Sequence, residues 1–241
     1  MKTRWIKGAA WMALCGMGVE VIGIAWAIHL WNQTHPEGYT FLRNFVSELG
    51  APKDSGMARV FNGTISFASL LALPVVYALG FTLRTKLARA AMVFGSCAGA
   101  GAIGVGFFPM DLAFLMPHLI AALFFFWGWL IAVFLFTADF WRNRAVRPAP
   151  AMIVAGLTVW AALVPFLCVL TIALMSFLGS GGGAIANGAM GAPIQHPPAF
   201  HRPRIWDIAI LEWCVLTSTW LWNLAASLYL LRRRTPPERI L

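Results

Sequence analysis

The sequence predicts an all-α polytopic membrane protein with six transmembrane helices, and three observations predict it. Hydrophobic residues fill 60% of the 241 positions and charged residues only 11%, whereas an ordinary soluble domain is about 25% charged. Six apolar runs reach the roughly 20 residues that a helix needs to cross a bilayer. The basic residues, finally, are concentrated in alternate loops.

The first run, 8–31, follows Lys2, Arg4 and Lys7 and so has the outline of a signal peptide. It is longer than a signal h-region, contains Glu20 and meets no small-residue cleavage site before Trp31, so a retained helix is expected. The second run, 58–83, contains Pro74, and the fifth, 151–178, contains Pro165; both prolines predict kinks. The third, 87–108, carries Gly95, Gly99, Ala102 and Gly106 at helical spacing, a surface for close packing in lipid. The fourth is 113–138 and the sixth 205–231. Read as one helix, residues 87–138 would extend about 80 Å, far beyond a bilayer, so Pro109 and Asp111 mark a hairpin instead. Trp5, Trp31, Trp206 and Trp222 fall near the ends of runs and are expected in the interfacial belt. The whole chain, 1–241, is one domain.

Lys2, Arg4 and Lys7, then Arg84, Lys86 and Arg89, then Arg142, Arg144 and Arg147, and last Arg232, Arg233, Arg234 and Arg239 all fall on one side of this topology. These thirteen of eighteen basic residues place both termini in the cytoplasm, because Lys and Arg are retained there. The net charge of +9 is thereby accounted for, and no solvated basic face is left for nucleic acid. Cys15, Cys97, Cys168 and Cys214 all lie in apolar runs without metal-knuckle or redox spacing and read as small hydrophobes.

The two long loops then lie outside. In the first, 32–57, the segment YTFLRNFVSELGAPKDSG predicts a short amphipathic helix ended by Gly50, with Phe41, Phe45, Val46 and Leu49 near one side. The other, 179–204, opens on GSGGG, which lacks the Lys-Ser/Thr of a phosphate loop and reads as a hinge or lid. It ends on the extended HPPAFHRPR.

Ionisable residues in a membrane span are costly and need a reason. In GVGFFPMDLAFLMPHLIAALFFFW, Asp111 and His118 stand seven apart, on one helix face. An aspartate that reaches the imidazole fixes its tautomer and raises its basicity, which suits a general base; Asp111 serves equally well as a helix N-cap. Asn44, Ser47 and Glu48 share one side of a helix and, turned toward His118, would form a polar pocket below the headgroups. Asp207 opens the sixth helix as a dipole partner. Glu212, deeper in the same span, is expected either to pair with Arg43 or Arg204 or to accept a proton. Glu20 is separate, near mid-membrane, as a carboxyl bonded to a neighbouring helix or as a proton relay. His196 and His201 would complete a zinc site with Asp111 and His118, although their Pro-Pro spacing matches no ligand pattern. No cofactor is predicted, and a divalent metal would have to use those histidines.

The segment YTFLRNFVSELGAPKDSG with the following FNG, and GVGFFPMD with His118 downstream, resembles the uncharacterised membrane family catalogued as domain of unknown function 998. The resemblance runs from about Tyr39 to Trp222 and carries over Asn44, Ser47, Glu48, Gly50, Pro109, Asp111 and His118. It implies a six-helix bundle distantly similar to the Frag, DRAM and Sfk group, some of which are linked to glycolipid remodelling or phospholipid distribution. It brings no established reaction, and the loop with His196 and His201 is not part of the pattern.

The leading expectation is a lipid-handling transferase or hydrolase of a bacterial-type cytoplasmic membrane, acting in the outer leaflet. His118 would be its base, Ser47 its nucleophile or donor, and Asn44 an oxyanion donor, with Arg43 or Arg204 holding a phosphate. Membrane lipids are then the partners, with a homo-oligomer or another membrane protein also compatible. The alternatives are a proton-linked transporter of lipid or small molecules and a non-catalytic accessory subunit.

Overall fold

The structure, a computed structural model, describes residues 2–50, 55–109, 115–144, 149–179 and 206–233. Six helices cover nearly all of them: α1 (Lys2–Thr34), α2 (Ser55–Leu83), α3 (Lys86–Phe107), α4 (Leu115–Arg142), α5 (Pro150–Gly179) and α6 (Asp207–Arg232). All six contain stretches long and apolar enough to span a membrane. The protein is therefore an integral multi-pass membrane protein. A 3-10 helix, Val46–Gly50, lies between α1 and α2.

The helices form a ring. Each packs on the next in sequence, α6 closes against α1, and α6 also touches α2. Small residues set the spacing. A Cβ placed on Gly95 or Gly99 would run into Val76 or Leu73 of α2, and one on Gly106 would run into Ser66 and Asn62. The α3 numbers rise as the α2 numbers fall, so the two helices are antiparallel and mesh through the expected small-residue face. The opposite flank of α3 meets α4. A Cβ on Gly101 would reach the Phe125 amide and lie 2.6 Å from the Ala121 carbonyl oxygen, and one on Gly128 would lie 2.9 Å from both Ala98 N and Phe94 O. Across the ring, Trp129 and Phe140 of α4 contact Trp222 and Tyr229 of α6, which makes these two helices parallel.

The interior is alanine-rich. Ala10, Ala78, Ala88, Ala91, Ala132 and Ala226 are fully buried, with Phe136, Leu163 and Trp222 as the large fillers. Large apolar side chains point outward instead, such as Ile22, Val93 and Ile172. This is the arrangement expected in lipid, where close van der Waals packing rather than water exclusion holds helices together. Trp222, expected in the interfacial belt, is instead a core residue that packs edge-on against Trp129. Trp31 is also buried, stacked on His35 with 4.0 Å between ring centroids.

The α2–α3 link is two residues long. Arg84 turns it in the left-handed region (φ 58°), and Thr85 caps α3 by accepting from the Ala88 amide at 3.0 Å. Pro74 and Pro165 sit inside α2 and α5 and deprive the carbonyls of Leu70 and Ala161 of their amide donors.

Gly101→Ala forces a methyl group into backbone and is expected to destabilise the bundle by about 1–3 kcal/mol. Gly63→Ala faces open space on α2 and is expected to be neutral or stabilising by up to about 1 kcal/mol. Thermal unfolding of both variants in detergent checks the pair; equal melting points would contradict the α3–α4 packing.

Candidate functional site

After α1 the chain doubles back across one end of the bundle. Asn32 accepts the Tyr39 amide at 2.7 Å, and Gly38 supplies a left-handed φ of 67° at the bend. Asn44 closes a small ring with Thr40: its amide donates to the Thr40 carbonyl at 2.9 Å, and its Oδ1 accepts from the Thr40 amide at 3.1 Å. The segment is then tied to α6. The Trp206 amide donates to the Leu42 carbonyl at 2.7 Å, and the Trp213 indole to the Asn44 carbonyl at 3.2 Å.

At the centre stands Glu212. Its Oε2 accepts from the Val46 amide at 2.6 Å and from the Ser47 amide at 3.4 Å, and the Ser47 hydroxyl lies beside this carboxylate. The first amides of a helix have no internal acceptor, and a carboxylate aimed at them forms charge-assisted bonds. Glu212 thus anchors the 3-10 helix from 165 positions away or more. The Glu48 carboxylate lies close enough to Glu212 for the two charges to interact. Glu48 accepts from the Asn44 side-chain amide at 3.1 Å, and both residues are buried. From below, Asn62 of α2 donates to the Gly50 carbonyl at 3.1 Å; a Cβ on Gly50 would strike Asn62 and the Phe61 ring.

This geometry differs from the expected amphipathic helix in length and in orientation. The helix is a single 3-10 turn. Asn44 and Glu48 face inward, while Phe41 and Leu42 are 56% and 50% exposed. Glu212 draws the polar edge inside. The expected pairing of Glu212 with Arg43 is replaced by these amides, and Asn44 is committed to Glu48 and Thr40 rather than open toward an oxyanion.

His118 sits in the first turn of α4, at the same end of the bundle. Its Nδ1 lies 2.7 Å from the Phe108 carbonyl oxygen at the end of α3. A carbonyl only accepts, so Nδ1 carries the proton and Nε2 keeps the basic lone pair. A backbone oxygen therefore performs the tautomer-fixing that was expected of Asp111. The 3-10 helix packs on α1, α2 and α6, whereas α4 packs on α3 and α5. The His118 end and the Glu212 cluster are connected through α3 and α2, where Gly106 abuts Asn62 and Asn62 holds Gly50.

Glu20 accepts from the Trp220 indole of α6 at 2.9 Å, an interhelical bond of about 1 kcal/mol in a membrane. Asp139, in α4 toward its Arg142 end, escaped the sequence reading; it is buried and accepts from the Asn143 amide group at 3.2 Å. Its place just before Asn143 in a basic stretch, TADFWRNR, was the available signal. Asp111, His196, His201, Arg202 and Arg204 lie outside the described residues. Among the described residues, no group of three or more His, Cys, Asp or Glu side chains is placed to hold a metal ion.

Glu212→Ala removes the acceptor for the Val46 amide and is expected to lower that amide's hydrogen-exchange protection about 10–150-fold, as loss of a 1.5–3 kcal/mol charged hydrogen bond dictates. Glu212→Gln keeps an acceptor oxygen and should fall between. Exchange measured by mass spectrometry on peptides spanning 40–50 decides it; unchanged protection in the alanine variant would remove Glu212 from the centre of this site.

Neither the curated proteins nor the solved structures contain a match to the chain. A family model described as "Protein of unknown function (DUF998)" matches residues 19–229, which take in the 3-10 helix, His118 and Glu212. The chain belongs to the DUF998 family.

Proposed function

We propose that this protein handles a lipid or lipid-linked substrate as a transferase or hydrolase, at a polar site in the outer leaflet of a bacterial-type cytoplasmic membrane. Both termini face the cytoplasm in this reading, in keeping with the thirteen basic residues that the sequence gathers in the termini and alternate loops. The observation that carries the reading is the Ser47 amide held on the Glu212 carboxylate, which brings the Ser47 hydroxyl beside that carboxylate, at the end of a bundle whose outer surface is lipid-facing. A carboxylate that takes the hydroxyl's proton makes the oxygen a nucleophile. Glu48, positioned by Asn44, adds a second carboxylate. His118, with its basic Nε2 set by the Phe108 carbonyl, suits a general base. Arg204 keeps its expected role, as phosphate ligand.

A second reading has its own support. Glu212 Oε2 also takes two backbone amides, which fits a purely structural anchor in an accessory subunit.

Comparative lipidomics separates the two. A deletion strain is rescued with wild type, His118→Ala or Ser47→Ala at matched membrane abundance. On the enzymatic reading one lipid class shifts on deletion, wild type restores it, and His118→Ala loses turnover by about 100-fold or more. Equal rescue by all three proteins selects the accessory reading. For topology, Phe41→Cys and Lys86→Cys are compared in a background with the four native cysteines replaced. An impermeant maleimide is expected to label Phe41→Cys in intact cells, and Lys86→Cys only after permeabilisation; the reverse pattern inverts the site.

A further inference from the structure

Arg43 stands apart from the polar network around it. Its backbone is fixed by its own amide, which donates to the Thr40 carbonyl at 3.1 Å, and by the neighbouring Leu42 carbonyl, which accepts from Trp206. Its guanidinium is not satisfied. Nε is buried without a hydrogen-bond partner, in a side chain that is only partly buried as a whole. The guanidinium is therefore seated against protein at one edge and partly open to the surface. Two carboxylates of this cluster serve other donors: Glu48 takes the Asn44 amide, and Glu212 takes Val46 and Ser47. A guanidinium cannot shed its proton, so the charge stays and awaits an anion.

The surroundings specify which kind. Phe41 and Leu42, just before it in sequence, are large, apolar and exposed. Phe41 meets the Trp213 ring edge-on at 4.7 Å, and Phe45 meets Trp206 at 4.7 Å. Aromatic side chains of this kind sit at headgroup depth. An inorganic anion at Arg43 would leave the Phe41–Leu42 tip without a partner, whereas a lipid brings an acyl chain to the tip and a phosphate to the fork. We propose that Arg43 binds the phosphate of an anionic phospholipid, whose acyl chain lies along Phe41 and Leu42. This deepens the lipid-handling reading and rests on it; it names the phosphate as the group the site recognises.

The test uses the full-length protein in neutral maltoside detergent, titrated with dioctanoyl phosphatidylglycerol and followed by native mass spectrometry. Dioctanoylglycerol and inorganic phosphate are the control ligands. Arg43→Gln is expected to weaken phosphatidylglycerol binding about tenfold or more, the loss of a charge-assisted hydrogen bond. Arg43→Lys, which keeps the charge but not the fork, should fall between. Phe41→Ser with Leu42→Ser should weaken the phospholipid too, through the acyl contact. Dioctanoylglycerol should bind weakly and be indifferent to Arg43. Equal phosphatidylglycerol affinity in wild type and Arg43→Gln overturns the proposal. So does inorganic phosphate competing at the same concentration as the lipid, which would mark a free-anion site. Should Arg43→Gln misfold, as judged by circular dichroism and elution profile, the lysine and tip variants decide, and unchanged affinity in both overturns it. An Arg43-independent affinity beside successful wild-type rescue in the lipidomic assay removes the phosphate assignment alone; failure of that rescue removes the lipid-handling reading itself.

Discussion

A carboxylate in a membrane-spanning helix and the unpaired amides of a short helix present the same difficulty, and each resolves the other. Glu212 needs donors near the end of α6; Val46 and Ser47 need an acceptor where the 3-10 helix begins. Their union fixes the course of the first loop. With that anchor in place, the Asn44 carbonyl comes within reach of Trp213, the Tyr39 hydroxyl reaches the Phe45 carbonyl at 2.8 Å, and Gly50 settles onto Asn62. The positions of Glu48, Ser47 and Arg43 all follow from one bonded pair of segments far apart in sequence.

Two kinds of interaction thus divide the molecule. Through most of its depth the bundle is held by shape, with alanines and glycines letting helices approach until backbone meets backbone, as at Gly101 and Gly128. Such contacts demand small residues and carry little chemistry. At one end, directional hydrogen bonds take over, because the chain there leaves helical geometry and must satisfy its own polar groups. Chemistry-bearing side chains gather at that end for the same reason: irregular backbone and ionisable groups need the same surroundings.

The helices were legible because an apolar run of spanning length has few other solutions, and the α3 glycines announced a face that α2 then occupied. The expected helix ends erred mainly by being short at the N-terminus, where α1 begins at Lys2; polar flanks extend a helix beyond its apolar part. The partner of the first loop was not legible. A pocket of Asn44, Ser47 and Glu48 turned toward His118 was expected, yet the loop is tied to Glu212, which only the fold brings near. The support of His118 was hidden too, since its partner is the Phe108 backbone carbonyl, which every residue type possesses. Trp222 misled because position along a span reports depth and says nothing about which way a side chain faces.

The two-residue connection through Arg84 and Thr85 bears on biogenesis. A linker this short keeps α2 and α3 side by side once both are helical, with Gly95 and Gly99 opposite Val76 and Leu73. The inserted pair is thus a hairpin with its own packed interface, and the remaining face of α3 is the wall on which α4 packs.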